Sequence, residues 1–413
     1  LVARSSFGEE DQAMALISKI IGDCPSCGFR RGFGNVGVHG DHVLRRCKSC
    51  EYKARIPLPA IQKKIVYLDQ SLLSSAFREQ DASAVQLIDA VARLATNQLV
   101  VAPYSSVHED ETHLLAISKP EVVDDLMDFI KQVAGGVEFK AAYDVEHAQV
   151  FDAYSRFRSD GHSTYELERR QAFDRDINTW TDYLFIDLPG YFGDPVVNEK
   201  FKQAALAQLL DAIETWRSSE LSFEEAFRLE INSAGQVYVD SYIDMLRASE
   251  QGDPLAFLNA PMVTAVVQGL IAQCDEEEIK RRISSLPKFF ASTHFSECPY
   301  QWLSARMFAV LRHQVRTQPA FQNRGKAEGK LRGFCHDVRH IATYAPYCDA
   351  IFVDNAMAHI LKDKRIRLTE RYGTRVFSMR NKAEFKEWLD QVENTMDDTH
   401  RAGLAAAYPP TMD

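Results

Sequence analysis

What this sequence does without narrows its function before any motif is considered. It contains no stretch of about 18 uncharged apolar residues, the least that crosses a bilayer as a helix, so no membrane partner is expected. Its first residues lack the basic-then-apolar order of a secretory signal. There is no Gly-x-x-x-x-Gly-Lys-Ser/Thr loop and no Gly-x-Gly-x-x-Gly fingerprint, and no internal repeat. His108 and His113 flank acidic residues as in a zinc-protease helix. They are five residues apart instead of four, however, so on a helix they diverge by about 140°. Nor is there an excess of basic charge: 48 Lys and Arg against 58 Asp and Glu give −10, which excludes a globally basic nucleic-acid coat.

Cysteine is scarce, and its placement matters more than its number. Of eight, Cys274, Cys298, Cys335 and Cys348 are scattered, while Cys24/Cys27 and Cys47/Cys50 form two close pairs. That usage fits a reducing, cytoplasmic setting with one metal site instead of a disulfide framework. Two Cys-x-x-Cys knuckles at this separation have the spacing of a four-thiolate structural Zn²⁺ site. Val36 and Val38 on one side of His39-Gly40-Asp41, and Val43 and Leu44 on the other, read as two strands and a turn. Residues 24–57 therefore resemble a zinc ribbon. Between Cys24 and Lys64 nine basic residues face two acids, a local charge of +7 that leaves −17 for the remainder. Arg30, Arg31, Arg45, Arg46 and Lys48 are thus candidate nucleic-acid contacts, with Phe29, Phe33 and Tyr52 as stacking surfaces. The plainer alternative is a basic, solvated module.

The chemistry is expected elsewhere. Residues 336–355 read as a helix, a turn at Pro346 and a buried strand, Ala350-Ile351-Phe352-Val353. Asp337 stands near the helix start and Asp354 at the strand's carboxyl end, where open α/β sheets place their ligands. Upstream, Lys64–Leu68 is another short apolar strand, ending in Asp69-Gln70-Ser71. Leu99–Ala102 is a third, followed by Pro103, a Ser105 N-cap and an acidic helical turn containing Glu109 and Glu111. Strand–Asp, strand–helix–Glu, helix–Asp, strand–Asp: this ordered set resembles the PIN-domain nucleases over roughly residues 62–120 and 335–392. The resemblance implies a parallel sheet flanked by helices, and Mg²⁺ or Mn²⁺ held by Asp69, Glu111, Asp337 and Asp354 for phosphodiester hydrolysis, since hard cations prefer carboxylate oxygen. Ser71 would orient water. Glu109 is the alternative to Glu111, and Asp349 the alternative to Asp354, although it lies at the wrong end of its strand. RNA is favoured over DNA by the resemblance alone. Taken singly, each aspartate reads more readily as a helix cap or turn residue; the ordered set is what points to a site.

The expected organisation is an N-terminal helix (1–23), the ribbon (24–57), a PIN-like α/β domain (62–392) and a loose tail (395–413). The third acid arrives some 200 residues late, so residues 120–330 are expected to be a helical insertion that walls or caps the site. Before Asp337, Arg324, Lys326, Lys330 and Arg332 alternate with glycines as a flexible basic segment, a second candidate phosphate surface. Trp180, Trp216 and Trp302 are expected in the core. The competing function is a catalytically silent nucleic-acid-binding module, or one docking a protein partner through the ribbon or insertion in a larger, defence- or toxin-like assembly.

Overall fold

Four short strands carry the organisation, and a computed structural model describes them within residues 16–182, 193–258, 261–272 and 276–410. The chain opens with β1 (Lys19–Gly22), β2 (Phe33–Val38), β3 (His42–Cys47) and β4 (Lys53–Pro57), an antiparallel sheet in that order. Positive φ at Gly40 makes the β2–β3 turn. Most of the expected N-terminal helix, residues 1–15, lies outside the described residues, as do Cys274 and Asp275; of its remainder, residues 19–22 form a strand.

Next come β5 (Lys64–Leu68), α1 (Gln70–Phe77), α2 (Ala82–Thr96), β6 (Val100–Val101), α3 (Ser106–Leu114), α4 (Val123–Ala134) and α5 (Ala142–Arg158). A helical tract follows: α6 (Pro195–Arg217), α7 (Phe223–Glu250), α8 (Pro261–Ile271), α9 (Glu276–Phe290), α10 (Thr293–Ser296), α11 (Pro299–Thr317) and α12 (Arg324–Leu331). The chain then runs α13 (Phe334–Tyr344), β7 (Ala350–Phe352), α14 (Asn355–Leu361), α15 (Leu368–Tyr372), β8 (Arg375–Phe377), α16 (Lys382–Glu393) and α17 (Asp398–Ala407). No described helix is long and apolar enough to cross a membrane.

Strands β6-β5-β7-β8 form one all-parallel sheet. Parallel strands covered on both faces need apolar residues on both, and these supply them. Ile65, Tyr67, Ile351 and Val376 face a core shared with α11 and α13. Val66, Leu68, Phe352 and Phe377 face the other core, with α1, α2, α4 and α16. Helix α11 shows that the long tract is more than a cap: its Leu303, Met307 and Val310 are fully buried in the first core. Trp180, Trp216 and Trp302 are buried, as expected.

Two expectations fail. The tail is not loose: α17 is capped by Asp397, and Ala406 and Ala407 accept hydrogen bonds from Asn35 Nδ2. The segment before Asp337 is not a flexible run either, because Arg324–Leu331 is helix α12, capped by Asn323 and packed against α6.

The antiparallel module sits at the amino end of the parallel sheet. Trp180 is buried with Val38, Val43 and Ala407 and donates to Pro59 O (2.7 Å), just ahead of β5. Lys63, one residue before β5, is held by Gln98, shortly before β6, and by Thr181. The acids stand at the opposite, carboxyl end, so a five-residue strand of roughly 15 Å separates the two.

Candidate metal centres

The four cysteine sulfurs lie within 4.8 Å of one another, a group that could hold a metal ion such as zinc. Backbone geometry prepares it. Gly28 turns the first knuckle with φ +71°, and its amide donates to Cys24 O. The amides of Ser26 and Ser49 point at Cys24 Sγ (3.4 Å) and Cys47 Sγ (3.2 Å). Burial opposes ionisation of Cys47, but the amides of Ser49 and Cys50 and the neighbouring thiols bring its pKa down to about 7. Four sulfurs so close, with amide donors aimed at two of them, are a donor set that a tetrahedral soft-tolerant cation fits.

Around this cluster the basic residues divide. Arg30, Arg31 and Lys48 are exposed and Arg46 is half-buried. Arg45 is not a free contact: its guanidinium donates to Asn35 Oδ1 (2.9 Å) and Ala406 O (3.2 Å), bracing the module against α17. Phe33 is buried against Tyr52, leaving Phe29 and Tyr52 as the exposed rings.

The acids come from four separate elements and gather at the carboxyl edge of the parallel sheet. Asp69 follows β5 and caps α1, its Oδ1 accepting from the Ser71 amide (2.8 Å). Its Oδ2 accepts from the Asp354 amide (3.3 Å), which ties the ends of β5 and β7 together. Asp354 caps α14 by accepting from Met357 N (2.6 Å) and is exposed. A carboxylate offers about four lone-pair sites, so capping leaves capacity for a cation. Both aspartates are therefore caps and cluster members at once.

Asp337 on α13 and Glu111 on α3 complete the group, each near enough to Asp69 for the charges to interact. Burial pushes Asp337 up, and the charges of Asp69, Glu111 and Asp354 push it further. Burial raises Glu111 to about 7, with Asp69 adding to the rise and Lys202 opposing it. Asp69 is raised by burial and by Asp354, against the Ser71 amide. Mutually repelling carboxylates are relieved by a nearby cation, and Lys202 is the one this structure places beside Glu111. Their oxygens do not close into as tight a group as the sulfurs.

Beneath the acids lies a polar support. His108 Nε2 donates to Leu68 O (2.8 Å), while its Nδ1 accepts from the Ser105 amide (3.0 Å). Burial lowers its pKa to about 4, so it is a neutral strut under the end of β5. Tyr67 Oη meets His340 Nδ1 at 3.3 Å in the same layer.

Other candidates are placed elsewhere. Asp349 is no alternative to Asp354: it accepts from Lys64 Nζ (2.9 Å), Ile65 N (2.9 Å) and Arg169 (3.1 Å) at the amino edge of the sheet. Glu109 contributes its backbone carbonyl to His113, whereas Glu111 is the glutamate coupled to Asp69. Ser71 is exposed beside Asp69. Arg324 pairs with Asp211 and Glu214, Lys330 lies over the Phe321 ring, and Arg332 reaches Glu328 at 3.9 Å; Lys326 is exposed. As a set they brace α12 more than they form a cationic surface.

The long helical tract supplies what the sequence concealed. Lys202 Nζ of α6 lies 3.6 Å from Glu111 Oε1, and Asn198 Nδ2 donates to Asp110 (3.0 Å). His336 Nε2 also approaches Glu111 Oε1, at 3.6 Å. A lysine in Asn198-Glu199-Lys200-Phe201-Lys202 has no local mark distinguishing it from a solvated charge. Comparison with protein-family models, with curated proteins and with solved structures found no match.

Proposed function

We propose that this chain is a metal-dependent nuclease of the PIN-like type, carrying a zinc ribbon and hydrolysing phosphodiester bonds, in RNA by preference. The observation that carries the reading is the convergence of Asp69, Glu111, Asp337 and Asp354 from four elements on the carboxyl edge of a parallel sheet, with three of them raised in pKa partly by one another. Asp69, Asp337, Asp354 and Glu111 would hold Mg²⁺ or Mn²⁺, which supplies charge neutralisation for a phosphate and lowers the cost of deprotonating an attacking water. The residues do the rest. The Asp69–Asp354 amide link fixes the spacing of two carboxylates, and His108 holds the strand end beneath them. Lys202 is placed to meet a phosphate oxygen as it exchanges Glu111 for substrate. Water adds its oxygen to phosphorus, the bond from phosphorus to the bridging oxygen breaks, and that oxygen leaves with a proton from solvent.

One observation favours a second reading. Lys202 already compensates Glu111, so a protein that binds nucleic acid without cutting it could keep this arrangement with no catalytic metal. Both readings meet in one experiment: Mn²⁺-dependent cleavage of labelled single-stranded RNA and DNA by wild type and by Asp69→Asn/Asp354→Asn. Cleavage that disappears in the double variant while zinc stays bound supports the nuclease. Binding without cleavage, unchanged by the substitutions, replaces it with the silent module.

A further inference from the structure

A cavity of about 540 Å³ opens beside the acids. One wall is α6, another the α12–α13 junction, and Val263 of α8 completes it. Lys202 and His336 line it, and both stand 3.6 Å from Glu111 Oε1, so the cavity begins where the carboxylate cluster ends. Beyond them the lining turns apolar, with Leu206, Val263 and Leu331. Phe201, one residue before Lys202 on α6 and also lining the cavity, is 69 % exposed. Its ring thus adds an accessible aromatic face to the cavity lining.

We infer that this cavity is a nucleobase pocket, taking the unpaired base of a nucleotide next to the phosphate at the acids, with Phe201 as its stacking platform. The inference rests on the nuclease reading for its position relative to the cut. The volume suits a nucleoside-sized ligand. A base has two apolar faces and a polar edge, which matches apolar walls meeting the polar groups of Arg339 and of the hydrogen-bonded Asn198–Asp110 pair. Its phosphate would lie toward Lys202, the cation shared by the cavity and the acids. Only a single strand can turn a base into such a pocket, since paired bases are stacked and hidden. Arg339 and Val263 also line a second cavity of about 460 Å³ with Tyr143, Tyr238 and Tyr300, so the groove continues away from the acids with further aromatic lining. In this arrangement the long helical tract sets base selectivity, while the sheet provides the chemistry.

The test uses the full chain, loaded with zinc, and a fluorescent single-stranded RNA of about eight nucleotides together with copies carrying one abasic residue at successive positions. Binding is followed by anisotropy for wild type, Phe201→Ala and Phe201→Trp, and Mn²⁺-dependent cleavage is measured in parallel. Phe201→Ala is expected to weaken binding by about 5- to 150-fold, and Phe201→Trp to restore it. One abasic position should weaken wild type but add nothing to Phe201→Ala. Equal binding of every oligonucleotide by wild type and Phe201→Ala overturns the pocket, even if cleavage is intact. Phe201-dependent, base-dependent binding without any cleavage keeps the pocket and discards the nuclease. Absence of RNA binding by wild type overturns both.

Discussion

Replacing Glu111 with glutamine should stabilise this protein without divalent metal at its acids, and weaken it once metal is bound. Burial and the neighbouring Asp69 raise Glu111 from an ordinary 4.5 to about 7. A carboxyl whose pKa is raised on folding contributes stability that is fully present below its unfolded value and is lost as pH rises through the folded one. Between those two values the folded chain therefore pays an increasing cost for the ionised group. Worked through linkage, that cost is about 1 kcal/mol at pH 5 and about 3 kcal/mol at pH 8. Glutamine keeps the shape and removes the charge, so at pH 8 Glu111→Gln should melt roughly 3 °C above wild type, the gap closing toward pH 5. The value of about 7 already includes the opposing ion pair with Lys202, so its loss in the variant is counted in these figures. Mn²⁺ at about one thousand times its dissociation constant should reverse the order, because a ligand held only by the folded state then raises wild-type stability by about 4.1 kcal/mol. The assay is thermal unfolding across pH with and without Mn²⁺, zinc being retained throughout. A variant less stable than wild type at pH 8 without Mn²⁺, or equal stabilisation of both by Mn²⁺, would refute the argument from crowded, buried carboxylates.

Three further outcomes follow from the same geometry. Cys47→Ser should take bound zinc from one ion per chain to none by elemental analysis and expose residues 23–52 to protease, while the parallel sheet stays folded; zinc retained at full occupancy would show that the sulfurs are not its site. Asp349→Asn should leave Mn²⁺-dependent cleavage intact yet cost about 1–3 kcal/mol of stability, since it weakens a half-buried link to Lys64, Ile65 and Arg169. Asp354→Asn should do the opposite, abolishing cleavage at little cost to folding, and identical behaviour of the two variants would contradict their assignment to opposite edges of the sheet.

The features legible in the sequence are those whose physical cause is local. Strand β5 is readable because Ile65-Val66-Tyr67-Leu68 needs two buried faces, and Asp69 because a cap must follow it. Asp337 and Asp354 are readable for the same reasons. Strand β1 was disguised: Ile17, Ile20 and Ile21 suit a helical stripe, but Lys19 and Ile20 instead pair with Asn35 and Gly34, closing the open edge of β2. Helix α17 looked like a tail because its contacts, with Asn35 and Arg45, are to residues over 300 positions away. Arg45 read as a free charge because the register that sets it opposite Asn35 is a pairing property. Lys202 was hidden most deeply. Only the packing of α6 against α3 gives that lysine a carboxylate to meet.

The contacts of Asn35, Arg45 and Trp180 also limit what the four-cysteine module can do. The basic residues left exposed on it, Arg30, Arg31 and Lys48, are carried by a module fixed at the amino edge of the sheet, roughly 15 Å of strand away from the acids. Asn35, Arg45 and Trp180 fasten it there, so reaching the acids by swinging would break buried contacts. A nucleic acid touching both must run along the side of the domain, and the ribbon would grip a segment several nucleotides from the cut. Replacing Arg30, Arg31 and Lys48 together with alanine should then leave cleavage of the shortest substrates unchanged and weaken binding of longer ones. For those longer strands the slope of log affinity against log salt should become shallower by about 2, near 0.7 for each lost phosphate contact. Loss of cleavage on short and long substrates alike would mean that the ribbon meets the strand at the acids, and an unchanged salt slope would mean that it touches no phosphate at all.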